Sequence, residues 1–166
     1  MREIVASAIE QLCVAFSRHG YNPTPILDLG VLVAYADGQV DPQERAMLLE
    51  VFQALLETSL TPELVDHLIT ASVEIIQAAG AEPRARLVGA ILADCEAGDP
   101  GIVVALGVAF ASEGLSEKER AVIDRIAEAA EVSPERVAQL IAHAKEAGDV
   151  DPVSVRQALT VSSRRG

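Results

Sequence analysis

The residues best placed to do chemistry in this sequence are acidic and closely spaced: Asp37-Gly38, then Asp41, then Glu44. Carboxylates gathered in a short run are the usual donors to hard divalent cations such as calcium or magnesium. Asp37, Gly38, Val40 and Glu44 keep the spacing of the fifth, sixth, eighth and twelfth positions of an EF-hand loop. The first half of that loop is missing, because its first and third positions would fall on Val33 and Tyr35, which carry no carboxylate. An EF-hand is therefore excluded, whereas an irregular carboxylate site is not. Asp41 and Glu44 also have a reading that needs no metal, since Asp41 before Pro42 with Glu44 three residues on is the pattern of a helix capping box. Asp37 is harder to explain in that way. It is expected at the C-terminal end of a helix, where the macrodipole disfavours an anion by roughly 0.3 to 1 kcal/mol. Glu113-Gly114 repeats the arrangement further along, while the first helix ends in Arg18-His19-Gly20, as the dipole prefers. Acid at two helix ends points to a compensating cation or a basic partner, although Asp-Gly is also a favoured turn pair.

Other chemistry finds little support. His19, His67 and His143 have no spacing that would chelate a metal, and there is no GxSxG, no Gly-rich phosphate loop and no Ser/His/Asp set. Cys13 and Cys95 fall within apolar helical patterns, without CxxC spacing, and read as buried thiols. Asp94, Glu96 and Asp99 crowd one helix junction and read as a solvated end, and Arg84 with Arg86 reads as a surface pair. The net charge of -12 repels phosphate backbones and anionic lipid, so the expected partners are cations or basic proteins, and not nucleic acid.

The elements that position these residues are helices. Six prolines follow Thr, Asp or Ser (at 25, 42, 62, 100, 134 and 152), each pair reading as an N-cap and first helical residue. Ser116 to Glu119 is a capping box without proline. Between these starts apolar residues recur at three and four, as in Ile4, Val5, Ala8, Ile9, Leu12 and Phe16. Gly20, Gly80, Gly98 and Gly148 stand where left-handed C-caps belong. The pattern predicts helices near 3–19, 25–36, 42–58, 62–79, 83–97, 100–113, 117–131, 134–147 and 152–160, ahead of a frayed tail at 162–166. With half of the residues hydrophobic but only 3% aromatic, the core must be built from Ala, Val, Leu and Ile, which suits closely packed helices. The apolar runs Leu29–Ala36 and Ile102–Ala111 are too short to cross a bilayer, which takes about 20 residues. They are expected as buried central helices. The N-terminus lacks the apolar stretch of a secretory signal, and a cytoplasmic protein is expected.

The chain repeats itself. Residues 33–46 lie over residues 108–121 at an offset of 75, with six of fourteen positions identical, and Thr61–Ile69 lies over Ser133–Ile141 at an offset of 72. The economical architecture is one all-α domain over residues 1–161, made of two pseudo-twofold halves near 3–80 and 83–148, with eight to nine helices in all. An apolar helix ending in Ala36-Asp37-Gly38, followed by Glu44-Arg45 and by a second copy with Glu119-Arg120 and Val132-Ser133, resembles the TerB-like tellurite-resistance family. That family includes a domain at the N-terminus of some membrane-anchored DnaJ-type co-chaperones, which extends the expected partners to membrane-associated proteins. The resemblance spans roughly residues 25–145 and implies an all-α bundle, no established enzymatic activity, an acidic cluster linked to a divalent cation (calcium, magnesium or manganese), and a place in bacterial stress-response complexes. The cation ligands expected are Asp37, Asp41 and Glu44, with Glu113 and Glu119 as outlying candidates. Ser112-Glu113-Gly114 departs from the Ala-Asp-Gly of the first copy, which weakens a metal role in that half. The alternatives are a metal-free scaffold with an acidic face, co-chaperone-like, and, with less support, a metal-dependent enzyme using the same carboxylates.

Overall fold

The computed structural model describes residues 1–56, 61–112 and 114–149. Helix accounts for 81% of them and no strand occurs among them. The elements are α1 (Arg2–His19), α2 (Thr24–Ala34), α3 (Pro42–Leu56), α4 (Pro62–Ala79), α5 (Ala81–Asp94), α6 (Gly98–Ala109), α7 (Glu117–Ala129) and α8 (Pro134–Asp149). The expected helix at 152–160, the tail at 162–166 and Glu113 lie outside the described residues.

The two most apolar segments form the centre. Leu29, Val31 and Val33 of α2, and Ile102, Val104, Leu106 and Val108 of α6, are entirely enclosed. A helix that is apolar on every side has no face to offer water and must be covered all round. Here α2 and α6 pack on each other, and the halves exchange their first helices: α1 lies against α6, and α5 against α2. The core that results is continuous, running from Val5 on α1 to Ala144 on α8. Small residues set its close approaches. A side chain at Gly107 would run into Val5, and one at Gly30 would run into Leu48.

The helix ends show where sequence signals were overridden. Thr61, Ser116 and Ser133 cap as expected, each accepting the N–H three residues on. Thr24 and Asp99 do not cap, since α2 starts at Thr24 itself and α6 starts one residue before Asp99. Gly20 takes the left-handed C-cap (φ 77°). Gly98 does not, because it is the first residue of α6, pressed against Val132 and the Ala130 carbonyl, and the positive φ falls on Glu96 instead. Gly148 lies inside α8 and caps nothing. Arg84 is no surface residue. It is half-buried and ion-paired with the buried Asp28 of α2, whose carboxylate also accepts the Ser72 hydroxyl of α4 at 2.6 Å. This network ties α2, α4 and α5 together and leaves Arg84 Nε buried without a partner.

Two glycines in helices should respond oppositely to alanine. A Cβ at Gly89 of α5 would stand 2.5 Å from the Ile126 carbonyl oxygen and from the Ala129 side chain. Backbone cannot retreat cheaply, so Gly89→Ala should cost ~1–3 kcal/mol despite its better helix propensity. Gly148 has open space around it. There the propensity gain stands alone, and Gly148→Ala should add roughly 0.5 kcal/mol. Urea unfolding of both variants reads the two signs; equal signs would refute the packing account.

Candidate functional site

The site forms where the two central helices end. After α2 the chain turns through Tyr35 and Ala36, and the Gly38 N–H donates to the Tyr35 carbonyl at 2.9 Å. That turn needs the left-handed backbone of Gly38 (φ 86°) and leaves Asp37 exposed. Asp41 then caps α3. Its carboxylate accepts the Glu44 N–H at 2.8 Å, and the Glu44 carboxyl accepts the Asp41 N–H at 3.1 Å. The second half does the same with a hydroxyl: Ser116 accepts the Glu119 N–H at 3.1 Å, and Glu119 accepts the Ser116 N–H at 3.1 Å. Each box satisfies two donors that a helix start leaves free.

The tertiary fold then sets the two boxes face to face. Glu44 and Glu119 are each only 3% exposed. Their carboxyls are hydrogen-bonded to each other across the seam between the halves. Two carboxylates cannot share such a place without a proton between them. Burial pushes Glu44 up to about 7, against the stabilising Asp41 N–H, and the charges of Asp41 and Glu119 push the same way. Burial also raises Glu119, opposed by the Ser116 N–H and by the hydrogen bond from Glu44. Both carboxyls are pushed toward the protonated form, so the pair holds a proton under conditions where isolated glutamates would be ionised. A further link crosses the seam where the Ser116 hydroxyl donates to the Asp37 carboxylate at 3.4 Å.

Of the five residues expected from the sequence, Asp37, Asp41, Glu44 and Glu119 thus come together, and Glu113 lies outside the described residues. The last residue of α2 is Ala34, two before the expected end, so Asp37 sits in the turn beyond the helix and feels its dipole less than supposed. Ser116 is the member that residue chemistry did not single out. The signal was the repeat, since the offset of 75 places Ser116 on Asp41 and Glu119 on Glu44. The arginines that follow both glutamates turn outward, Arg45 to Asp66 at 2.8 Å and Arg120 to Asp124 at 2.9 Å. Among the described residues, no ion pair neutralises any of the four carboxyl groups.

Metal ligation was the natural expectation for this cluster. Among the described residues, however, no three of His, Cys, Asp or Glu are placed to hold a metal ion. The reason is local, because the carboxyl groups of Asp41 and Glu44 are directed at backbone N–H groups and that of Glu119 at Ser116 and Glu44. As they stand, these side chains are taken up by hydrogen bonds within the protein.

The family model for tellurite resistance protein TerB matches residues 24–142, which reaches from the start of α2 through most of α8 and contains the whole site. The chain belongs to the TerB family. Searches of curated proteins and of solved structures gave no match. TerB is a non-enzymatic domain family, and the membership supports a tellurite-resistance-type module. The TerB match covers both copies of the repeat, so Glu44 and Glu119 both fall within it. Among the described residues of this TerB protein, no helix is long and apolar enough to cross a membrane.

The carboxyl pair has a pH signature. A pKa raised from 4.5 to about 7 in the folded state means that the stability contributed by a protonated Glu44 is fully present below about 4.5 and is lost as pH rises through about 7. Glu44→Gln keeps an acceptor for the Asp41 N–H and a donor for Glu119 without titrating. In urea unfolding with EDTA, the stability of the variant relative to wild type should improve between pH 5 and about 7 and level off above that. A difference independent of pH would show that Glu44 titrates normally. Asp41→Ala should cost ~1 kcal/mol near pH 5 through loss of the cap, and less near pH 8, where removing its charge relieves the ionised Glu44, measurable in the same titrations.

Proposed function

We propose that this TerB protein is a non-enzymatic binding module of a bacterial stress-response system of the tellurite-resistance type, and that it works through the seam between its halves by taking a cationic group. The observation that carries this reading is the convergence of Asp37, Asp41, Glu44 and Glu119 from both halves, while Arg45 and Arg120 beside them face away. Uncompensated carboxyl groups favour any positive charge that reaches them. An enzymatic role is the weaker reading. Ser116, the one hydroxyl in the group, is held between the Glu119 N–H and Asp37, and none of the five residues is a histidine that could activate it. The same proposal places the module in the cytoplasm.

The cationic group has two sources. The first is a basic segment of a partner protein, which can meet the exposed Asp37 without rebuilding the capping boxes. The second is a divalent cation, and its support is the buried Glu44–Glu119 pair, whose proton a cation could replace. That source requires at least one carboxyl group to leave its capping partner.

Asp37→Asn separates the two. Asn keeps an oxygen for the Ser116 hydroxyl and tolerates the turn, so the variant should fold with little change in stability in EDTA. A ligand that binds only the folded state raises stability by RT ln(1 + [L]/Kd), about 2.7 kcal/mol at a hundredfold excess over Kd. Thermal melts with calcium, magnesium, manganese and zinc that move wild type but not Asp37→Asn identify a cation site at the seam. Melts that no metal moves leave the basic partner segment, and equal movement of both proteins places any cation elsewhere.

A further inference from the structure

Helix α4 has two faces that sequence periodicity alone does not separate. Val65, Ile69, Ser72 and Ile76 are buried in the core. A second stripe, Leu64, Leu68, Ala71, Ile75 and Ala78, runs at spacings of four and three on a flank roughly a third of a turn away. Leu68 is half-buried, but Leu64 is 45% and Ile75 47% exposed, and Ala71 and Ala78 are exposed as well. From Leu64 to Ala78 the stripe is about 21 Å long, four turns of helix. Alternation of four and three over that length is the seam of a helix that pairs with another helix.

The repeat indicates that the fold does not need this stripe. At the offset of 72, α8 carries Arg136 in place of Leu64, His143 in place of Ala71 and Ala147 in place of Ile75. Arg136 is exposed and ion-paired with Asp99 at 2.8 Å, and His143 is exposed. The counterparts of Leu64 and Ala71 are thus polar and exposed in α8, while Leu140, the counterpart of Leu68, is buried there.

Charge identifies what covers it. Every charged side chain on α4 is acidic, namely Glu63, Asp66 and Glu74, and Asp66 is held by Arg45. Glu63 and Glu74 lie along the edge of the stripe away from the core. A second copy of the chain would set these acids, on a body of net charge -12, against their own kind. A helix with Lys and Arg beside its apolar stripe would meet opposite charge at Glu63 and at Glu74, near either end of that edge.

We propose that the outer face of α4 is the docking site for a basic amphipathic helix of a partner protein. This surface is separate from the acidic seam and does not rest on the reading given to it. The probe is a synthetic helical peptide of about 18 residues with leucines at heptad spacing and lysines on either side, with a twin carrying glutamates in place of the lysines. Titrated into the full chain labelled with nitrogen-15, the lysine peptide should shift amide signals of residues 63–79, and the glutamate peptide should not. Leu64→Ser with Ile75→Ser, both at exposed positions, should weaken binding about tenfold or more with an unchanged melt. Glu63→Lys with Glu74→Lys should reverse the choice of peptide. Asp37→Asn should leave it untouched, which separates this surface from the seam. No binding by either peptide, or shifts centred on Ser116 and Glu119, would overturn the proposal. So would a dimer in sedimentation that Ile75→Ser dissolves, or contacts in the free protein between Ile75 and residues 150–166, since either would name a different occupant.

Discussion

The structure depends on burying two helices that have no polar face. α2 and α6 can be stable only if protein covers them on every side, and the other six described helices are disposed to do that. α1 covers α6 and α5 covers α2, so each central helix is enclosed by elements of both halves. Aromatic side chains are few, so the enclosure is achieved by close approach, with Gly30, Gly101 and Gly107 admitting Leu48, Leu92 and Val5 almost onto the backbone. At such contacts even one methyl group is felt, which makes the centre rigid and leaves variation to the ends.

What happens at those ends follows from the same constraint. A helix that is enclosed along its length must turn out of the core where it stops, and the next helix must begin at once with its free N–H groups satisfied. Both halves solve this with a capping box, and in isolation either box is an ordinary helix start. Pseudo-twofold pairing puts the glutamate that closes one box against the glutamate that closes the other. Two glutamates that each serve their own helix thereby become a buried pair sharing a proton. The electrostatic character of the seam is thus a product of duplication and belongs to neither half alone.

The halves are not equivalent beyond that point. Asp41 in one box is Ser116 in the other, so the carboxylate charge is heavier on the first side, and the Ser116 hydroxyl reaches over to Asp37. Likewise α4 keeps an exposed apolar stripe where α8 carries Arg136 and His143. Such differences between copies that share one architecture mark residues that the shared fold does not require. They also show why a repeat read from sequence finds the frame more easily than the function, since identity lies in the frame and difference in the sites.

The sequence by itself determined the helical class, most helix starts, the central pair and the register of the two copies. Each of those signals is short in range: a Thr, Ser or Asp before a first turn, an apolar period of three and four, a run with no polar residue. It also named Asp37, Asp41, Glu44 and Glu119, because carboxylates at that spacing are conspicuous wherever they fold. Only the tertiary structure decided that Glu44 and Glu119 touch, that Arg84 turns inward to Asp28, and that Gly98 begins a helix and leaves the left-handed turn to Glu96. Those outcomes depend on residues far apart in the chain competing for one small volume. The charge of a carboxyl group, the direction of an arginine and the room left for a Cβ are set by what else is in that volume, and no local pattern records it.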